Sequence, residues 1–83
     1  MSDVRHQFEE QRFIVELDRD PAVLEYTMLS ESRIDFTHTF VPFRGRGKGH
    51  AEALVHAGLN WAKQQGYDIQ ASCWYVDKFL KDD

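Results

Sequence analysis

Hydrophobic and polar residues alternate through much of the first half of the chain, the period at which successive side chains of a strand face opposite ways. In RFIVELD, Arg12 to Asp18, the residues Phe13, Val15 and Leu17 share one face and Arg12 and Glu16 the other, which predicts a half-buried strand. The DRDP that closes it, Asp18 to Pro21, has the chemistry of a turn. Ala22, Leu24, Tyr26 and Met28 then alternate with Val23, Glu25, Thr27 and Leu29, so a hairpin is expected. After a polar break at Ser30 to Ser32, Ile34, Phe36, His38 and Phe40 line one face of a strand that runs to Val41. The first half reads as an antiparallel meander.

Pro42 stops that strand, and the stretch from Arg44 to Gly49 has no periodicity, which predicts a loop. The period then lengthens. Ala51, Leu54, Val55, Gly58, Leu59 and Ala62 recur at three- and four-residue steps, with Glu52, His56, Asn60, Lys63 and Gln64 opposite, the pattern of an amphipathic helix. Gly66 is its natural stop. Tyr67 to Cys73 alternates as a short strand with Ile69, Ala71 and Cys73 on one face, and Trp74 to Lys81 suits a final helix of about two turns. Strand, glycine loop, helix and strand form a crossover unit, so the strands carrying Ile34 and Ile69 are expected to be parallel neighbours. The class is α+β, a meander followed by that crossover and a short C-terminal helix.

At 83 residues and 42% hydrophobic content, the chain suits one core, and residues 1–83 are read as a single domain. Aromatic residues make up 13% of it, far from the composition of a disordered segment. A net charge of −4 disfavours a general nucleic-acid or anionic-membrane binder, so any anion site must be local. Cys73 is the single cysteine, which rules out an intrachain disulfide and a multi-cysteine metal site and fits a reducing, cytoplasmic setting. MSDVRHQFEEQR, the first twelve residues, has no apolar run of signal-peptide or membrane-span length. His6, His50 and His56 have no spacing that assembles a metal site with a carboxylate; solvated side chains and no metal are expected.

The local anion site has one candidate. Arg44, Arg46, Lys48 and His50 interleave with Gly45, Gly47 and Gly49 where the helix begins. Glycines admit positive φ and a close ligand, and a helix start aims N–H groups at the same spot, a geometry suited to phosphate. GRGKGHA fits neither the Walker loop GxxxxGK[ST] nor the dinucleotide fingerprint GxGxxG, and the GxxG loop of KH domains is also missing.

The segment from Asp35, DFTHTFVPFRGRGKGHAEALV, resembles the acetyl-CoA signature of the GNAT N-acetyltransferases, Arg or Gln followed by xxGxG or xxGxA between a strand and a helix. It fits in two frames, Arg44 with Gly47 and Gly49 or Arg46 with Gly49 and Ala51; the second agrees with the helical phasing of Leu54 and Val55. The likeness is closer to the very small stand-alone members, with HTxVP at His38 to Pro42, RGxGxA at Arg46 to Ala51 and CxY at Cys73 and Tyr75, although His50 stands where relatives carry an aliphatic residue. It spans Val23 to Leu80.

The resemblance implies a GNAT-like fold and an acetyl-CoA-dependent N-acetyltransferase acting on an amine, small molecule or lysine. Acetyl-CoA would lie with its diphosphate on Arg46, Gly47, Lys48, Gly49, His50 and Ala51, and with its pantetheine arm or acetyl carbonyl against the backbone of Phe40 and Val41. His38 and Cys73 become the candidates for proton transfer or acetyl acceptance, with Tyr75 a candidate acid. A strand histidine or cysteine is more commonly a packed core residue, which leaves a second reading, a non-catalytic acyl-CoA-binding module. A small RNA-binding domain using RGRGK is a third, opposed by the overall acidity.

Overall fold

The computed structural model describes residues 3–81. Strands β1 (Val4–Gln7), β2 (Arg12–Val15), β3 (Ala22–Met28), β4 (Arg33–Phe40) and β5 (Asp68–Ala71) form one sheet in the order β1-β2-β3-β4-β5. The first four are antiparallel neighbours. Helix α1 (His50–Gln65) carries the chain from β4 across to β5, which runs parallel to β4 and beside it, as the crossover pattern predicts; the register sets Ile34 opposite Ile69. Gly66 ends α1 in the left-handed conformation at φ 77°. Helix α2 (Trp74–Lys81) follows β5 directly.

One face of the sheet meets the helices. Leu24, Ile34 and Phe36 from the sheet, Leu54 and Val55 from α1 and Val76 from α2 are fully buried in a single apolar cluster. Each such side chain stabilises the fold by about 1.5–3 kcal/mol relative to exposure. Gly58 sets the closeness of the contact, since a Cβ there would lie 2.8 Å from Leu24 and 3.0 Å from Phe36.

β5 spans only part of the Tyr67 to Cys73 stretch that alternation predicts and leaves Cys73 beyond the strand. In the first four strands three details depart from the sequence pattern. β2 ends at Val15, so Leu17 lies beyond the strand but still packs against the core. Val4–Gln7, which carried no strand expectation, pairs with β2 and sets His6 opposite Phe13 on the core face. His6 is therefore half-buried where solvation was expected: its ring stacks on Phe13 at 4.1 Å, meets the edge of Trp61 at 4.6 Å, and its Nε2 lies 2.7 Å from the Tyr26 hydroxyl. Burial lowers its pKa below the usual 6.5, so the ring behaves as a neutral aromatic with its polar edge satisfied.

The third departure is a β-bulge. Tyr26 pairs with Phe36 but Glu25 pairs with His38, which leaves Thr37 as an extra residue on β4. Directly opposed residues of an antiparallel pair share a face, so beyond the bulge His38 joins exposed Glu25 on the outer face. Thr39 joins Leu24 on the core face, and Phe40 lies outward opposite Val23. Simple alternation placed His38 and Phe40 inward; the bulge reverses both.

Candidate functional site

The glycine loop is built by what precedes it. Pro42, fixed at φ −56°, opens a 3₁₀ turn, Phe43–Gly45, which occupies part of the stretch expected to be irregular. It is closed by bonds from the Gly45 N–H to Pro42 O at 2.8 Å and from the Arg46 N–H to Phe43 O at 3.2 Å. Arg46 is braced, its Nε donating to Val41 O at 3.2 Å while its guanidinium lies 5.9 Å from the Phe43 ring centre. Gly49 then sits at φ 80°, a left-handed conformation that costs other residues about 1–2 kcal/mol.

Gly49 is also the N-cap of α1 and has no side chain with which to cap it. The first intrahelical bond runs from the Ala53 N–H to Gly49 O, so the amides of Ala51 and Glu52 precede the ladder at the positive end of the helix dipole. These donors open onto a cavity of about 240 Å³ lined by Val41, Gly45, Arg46, Gly47, Gly49, His50, Ala51, Glu52 and Tyr75. That is below the roughly 300–1,000 Å³ of pockets for drug-sized ligands, so it suits an anionic head rather than the whole of a long molecule. One carboxylate, Glu52, opposes an anion here.

Arg46 and Arg44 separate across the loop. Arg46 lines this cavity, whereas Arg44 and Lys48 line a larger groove of about 570 Å³ on the other flank, with Glu16, Asp18, Arg19, Asp20 and the exposed Phe43. Lys48, expected to add countercharge beside Arg46, thus stands apart from the helix-start donors.

Alongside the cavity the sheet opens. Pairing of β4 with β5 ends at Phe36 and Ala71, and a last bond runs from the Cys73 N–H to Phe36 O at 3.1 Å. β4 continues to Phe40 while the chain after Ala71 turns into α2, so among the described residues Thr37 to Phe40 have no strand partner on that side. Asp35 fastens the turn. Only 7% exposed, it accepts the Ser72 N–H at 2.8 Å and the Ser72 hydroxyl at 2.7 Å.

That turn delivers Cys73 to the start of α2, where its carbonyl accepts the Asp77 N–H at 3.0 Å. Its sulfur lies 3.5 Å from the Thr39 hydroxyl. Burial alone would push the thiol up, but hydrogen bonds from the Thr39 side chain and from the backbone at Val76, Tyr75 and Thr39 outweigh it, and Cys73 ionises below its ordinary pKa of 9.0. Tyr75, on the cavity wall, is raised above 10.0 by burial and by the charge of Glu52, so it keeps its proton at neutral pH.

Of the residues named from sequence, the structure gathers Val41, Arg46, Gly47, Gly49, His50, Ala51 and Tyr75 around one cavity. Cys73, two residues before Tyr75, meets Thr39, two residues before Val41. His38 does not join them; it is exposed across from Glu25. The residue that sequence reasoning missed is Thr39, present in the HTFVP segment but assigned by alternation to the outer face. Among the described residues, no three His, Cys, Asp or Glu side chains come together to hold a metal, and no helix is long and apolar enough to cross a membrane.

A family model described as GCN5-related N-acetyl-transferase matches residues 12–83. The chain is 35% identical to protein NATD1 of Bos taurus over 81 residues, covering 95% of this chain and 72% of the relative. It is 33% identical to NATD1 of Homo sapiens over the same length, with the same shares covered. Among solved structures, a GCN5-like protein from Staphylococcus aureus superimposes with a TM-score of 0.70 over 96% of this chain and 78% of that one; at 23% identity the likeness is one of fold. The chain belongs to the GCN5-related N-acetyltransferase family.

Proposed function

We propose that the chain is an acetyl-CoA-dependent N-acetyltransferase that transfers an acetyl group to the amine of a small molecule or a lysine. The observation that carries this reading is that helix-start donors open onto a cavity whose wall includes Arg46 and Tyr75, while Cys73, two residues before Tyr75, holds a hydrogen-bonded thiol at the open end of the β4–β5 pair. Acetyl-CoA supplies an activated thioester. Main-chain donors from Gly47 to Ala51 hold the diphosphate, and the unpaired edge of β4 offers hydrogen bonds to an extended chain lying beside it.

Cys73 takes the acetyl group on its thiolate, and Tyr75 donates the proton that the departing thiolate needs. The neutral amine then attacks the Cys73 thioester, its carbon–sulfur bond breaks to restore the thiolate, and the proton the amine loses returns through water to Tyr75. A net charge of −4 favours a cationic acceptor.

The test is release of free CoA thiol from acetyl-CoA with a panel of amines, for wild type and Cys73→Ala. Amine-dependent turnover that Cys73→Ala abolishes supports the reading, as does an acetyl adduct on Cys73 in the intact mass after acetyl-CoA alone. Turnover that survives Cys73→Ala favours direct transfer without the thiol. Saturable binding with no turnover favours a non-catalytic acyl-CoA-binding module.

A further inference from the structure

We propose that Thr39, turned inward by the bulge at Thr37, is the positioning residue for Cys73: its hydroxyl fixes the sulfur at the open end of the β4–β5 pair and serves as its partner both as thiol and as thiolate. This inference deepens the transferase reading given above. It stands on three observations.

First, Thr39 reaches the core face only because Thr37 is extra. Tyr26 pairs with Phe36 and Glu25 with His38, which sets Thr39 opposite Leu24. Without the additional residue His38 would occupy the inward phase, and an imidazole rather than a hydroxyl would face Cys73. Second, the Thr39 Oγ1 to Cys73 Sγ separation is 3.5 Å, and either atom can donate. A hydroxyl both donates and accepts, so the thiol S–H donates to Oγ1, and once that proton passes to water the Thr39 O–H turns to donate to the thiolate. A histidine in one tautomer, or a valine, could not serve both states.

Third, each partner is anchored without the other. Cys73 is held by its N–H to Phe36 O, by the start of α2, and by Ser72 clasped to Asp35. Thr39 is held within β4, and its β-branch restricts χ1, so the hydroxyl direction is set before the thiol ionises. The lowered pKa of Cys73, to which Thr39 contributes, agrees with this arrangement.

The test measures the rate of Cys73 alkylation by iodoacetamide against pH, on the full chain, for wild type, Thr39→Val and Thr39→Ser, beside steady-state kinetics. Thr39→Val is expected to move the alkylation inflection upward by about one pH unit, the size of one hydrogen bond to an ionised group. Thr39→Ser should return it most of the way. With turnover present, Thr39→Val should lower kcat and leave the KM for acetyl-CoA within about twofold, because the substitution alters an inward side chain and leaves the main chain of β4 and the glycine loop unchanged. If Thr39→Val does not fold, Thr39→Ala carries the same comparison. An inflection equal in wild type and the valine or alanine variant overturns the proposal. Absence of turnover in wild type, with the inflection still moved by Thr39→Val, would instead sink the transferase reading and leave the pairing in place.

Discussion

The two ends of α1 are built on opposite principles. Around Trp61, toward its C-terminal end, the rings of His6, Phe8, Phe13, Tyr26 and Tyr67 lie within 6.1 Å of the indole, and His6 and Tyr26 satisfy each other's polar edges. At the N-terminal end Gly49 supplies no cap, Phe43 is 83% exposed, and main-chain donors face a cavity. One end gains stability by closing its polar groups; the other leaves donors turned toward a ligand. Damage at the first should therefore appear in folding, and damage at the second in binding.

The largest effect that sharpens this contrast is expected from Phe13→Ala, which removes the ring beneath His6 and should cost about 3–5 kcal/mol in urea unfolding. The folded fraction should bind acetyl-CoA as wild type does. Gly49→Val should do the reverse, costing about 1–2 kcal/mol for a left-handed β-branched residue but lowering acetyl-CoA affinity about tenfold, the loss of one hydrogen bond to an ionised group. If both variants lose stability and binding in proportion, the two ends are not separable.

Acidification tests the aromatic end alone. Burial lowers the His6 pKa, so the unfolded chain binds that proton more tightly than the folded one. The contribution of neutral His6 to stability is complete above pH 6.5 and is lost as the pH falls from there through the folded pKa. The urea midpoint of wild type should fall across this window more steeply than that of His6→Phe, and identical slopes would remove His6 from the account. The smallest effect belongs to the loop: Glu52→Gln removes the carboxylate beside the helix-start donors and should tighten acetyl-CoA binding about two- to fivefold by titration calorimetry.

Legibility in the sequence followed the range of the interactions involved. The parallel pairing of β4 with β5 was readable because strand, glycine loop, helix and strand have one favoured crossover, and α1 because its apolar stripe is continuous from Leu54 to Ala62. Most of the glycine-loop cavity was readable because the loop and helix start are contiguous in sequence. The bulge was not: in DFTHTF nothing distinguishes Thr37 as an extra residue, since only the register against β3 makes it one. From that one hidden residue follow the outward turn of His38 and the inward turn of Thr39. β1 was hidden for a similar reason, because VRHQ is too short and polar to predict, and His6 becomes a core residue only once Phe13, Tyr26 and Trp61 surround it.

If the start of α1 receives the diphosphate of CoA, thermal unfolding must distinguish two ligands. Acetyl-CoA at about a hundredfold excess over its Kd should stabilise the fold by about 2.7 kcal/mol and raise the Tm by roughly 10–20 °C, whereas acetyl-pantetheine, which lacks the diphosphate, should shift it little at the same concentration. Equal shifts from both ligands, or none from acetyl-CoA at millimolar concentration, would contradict it.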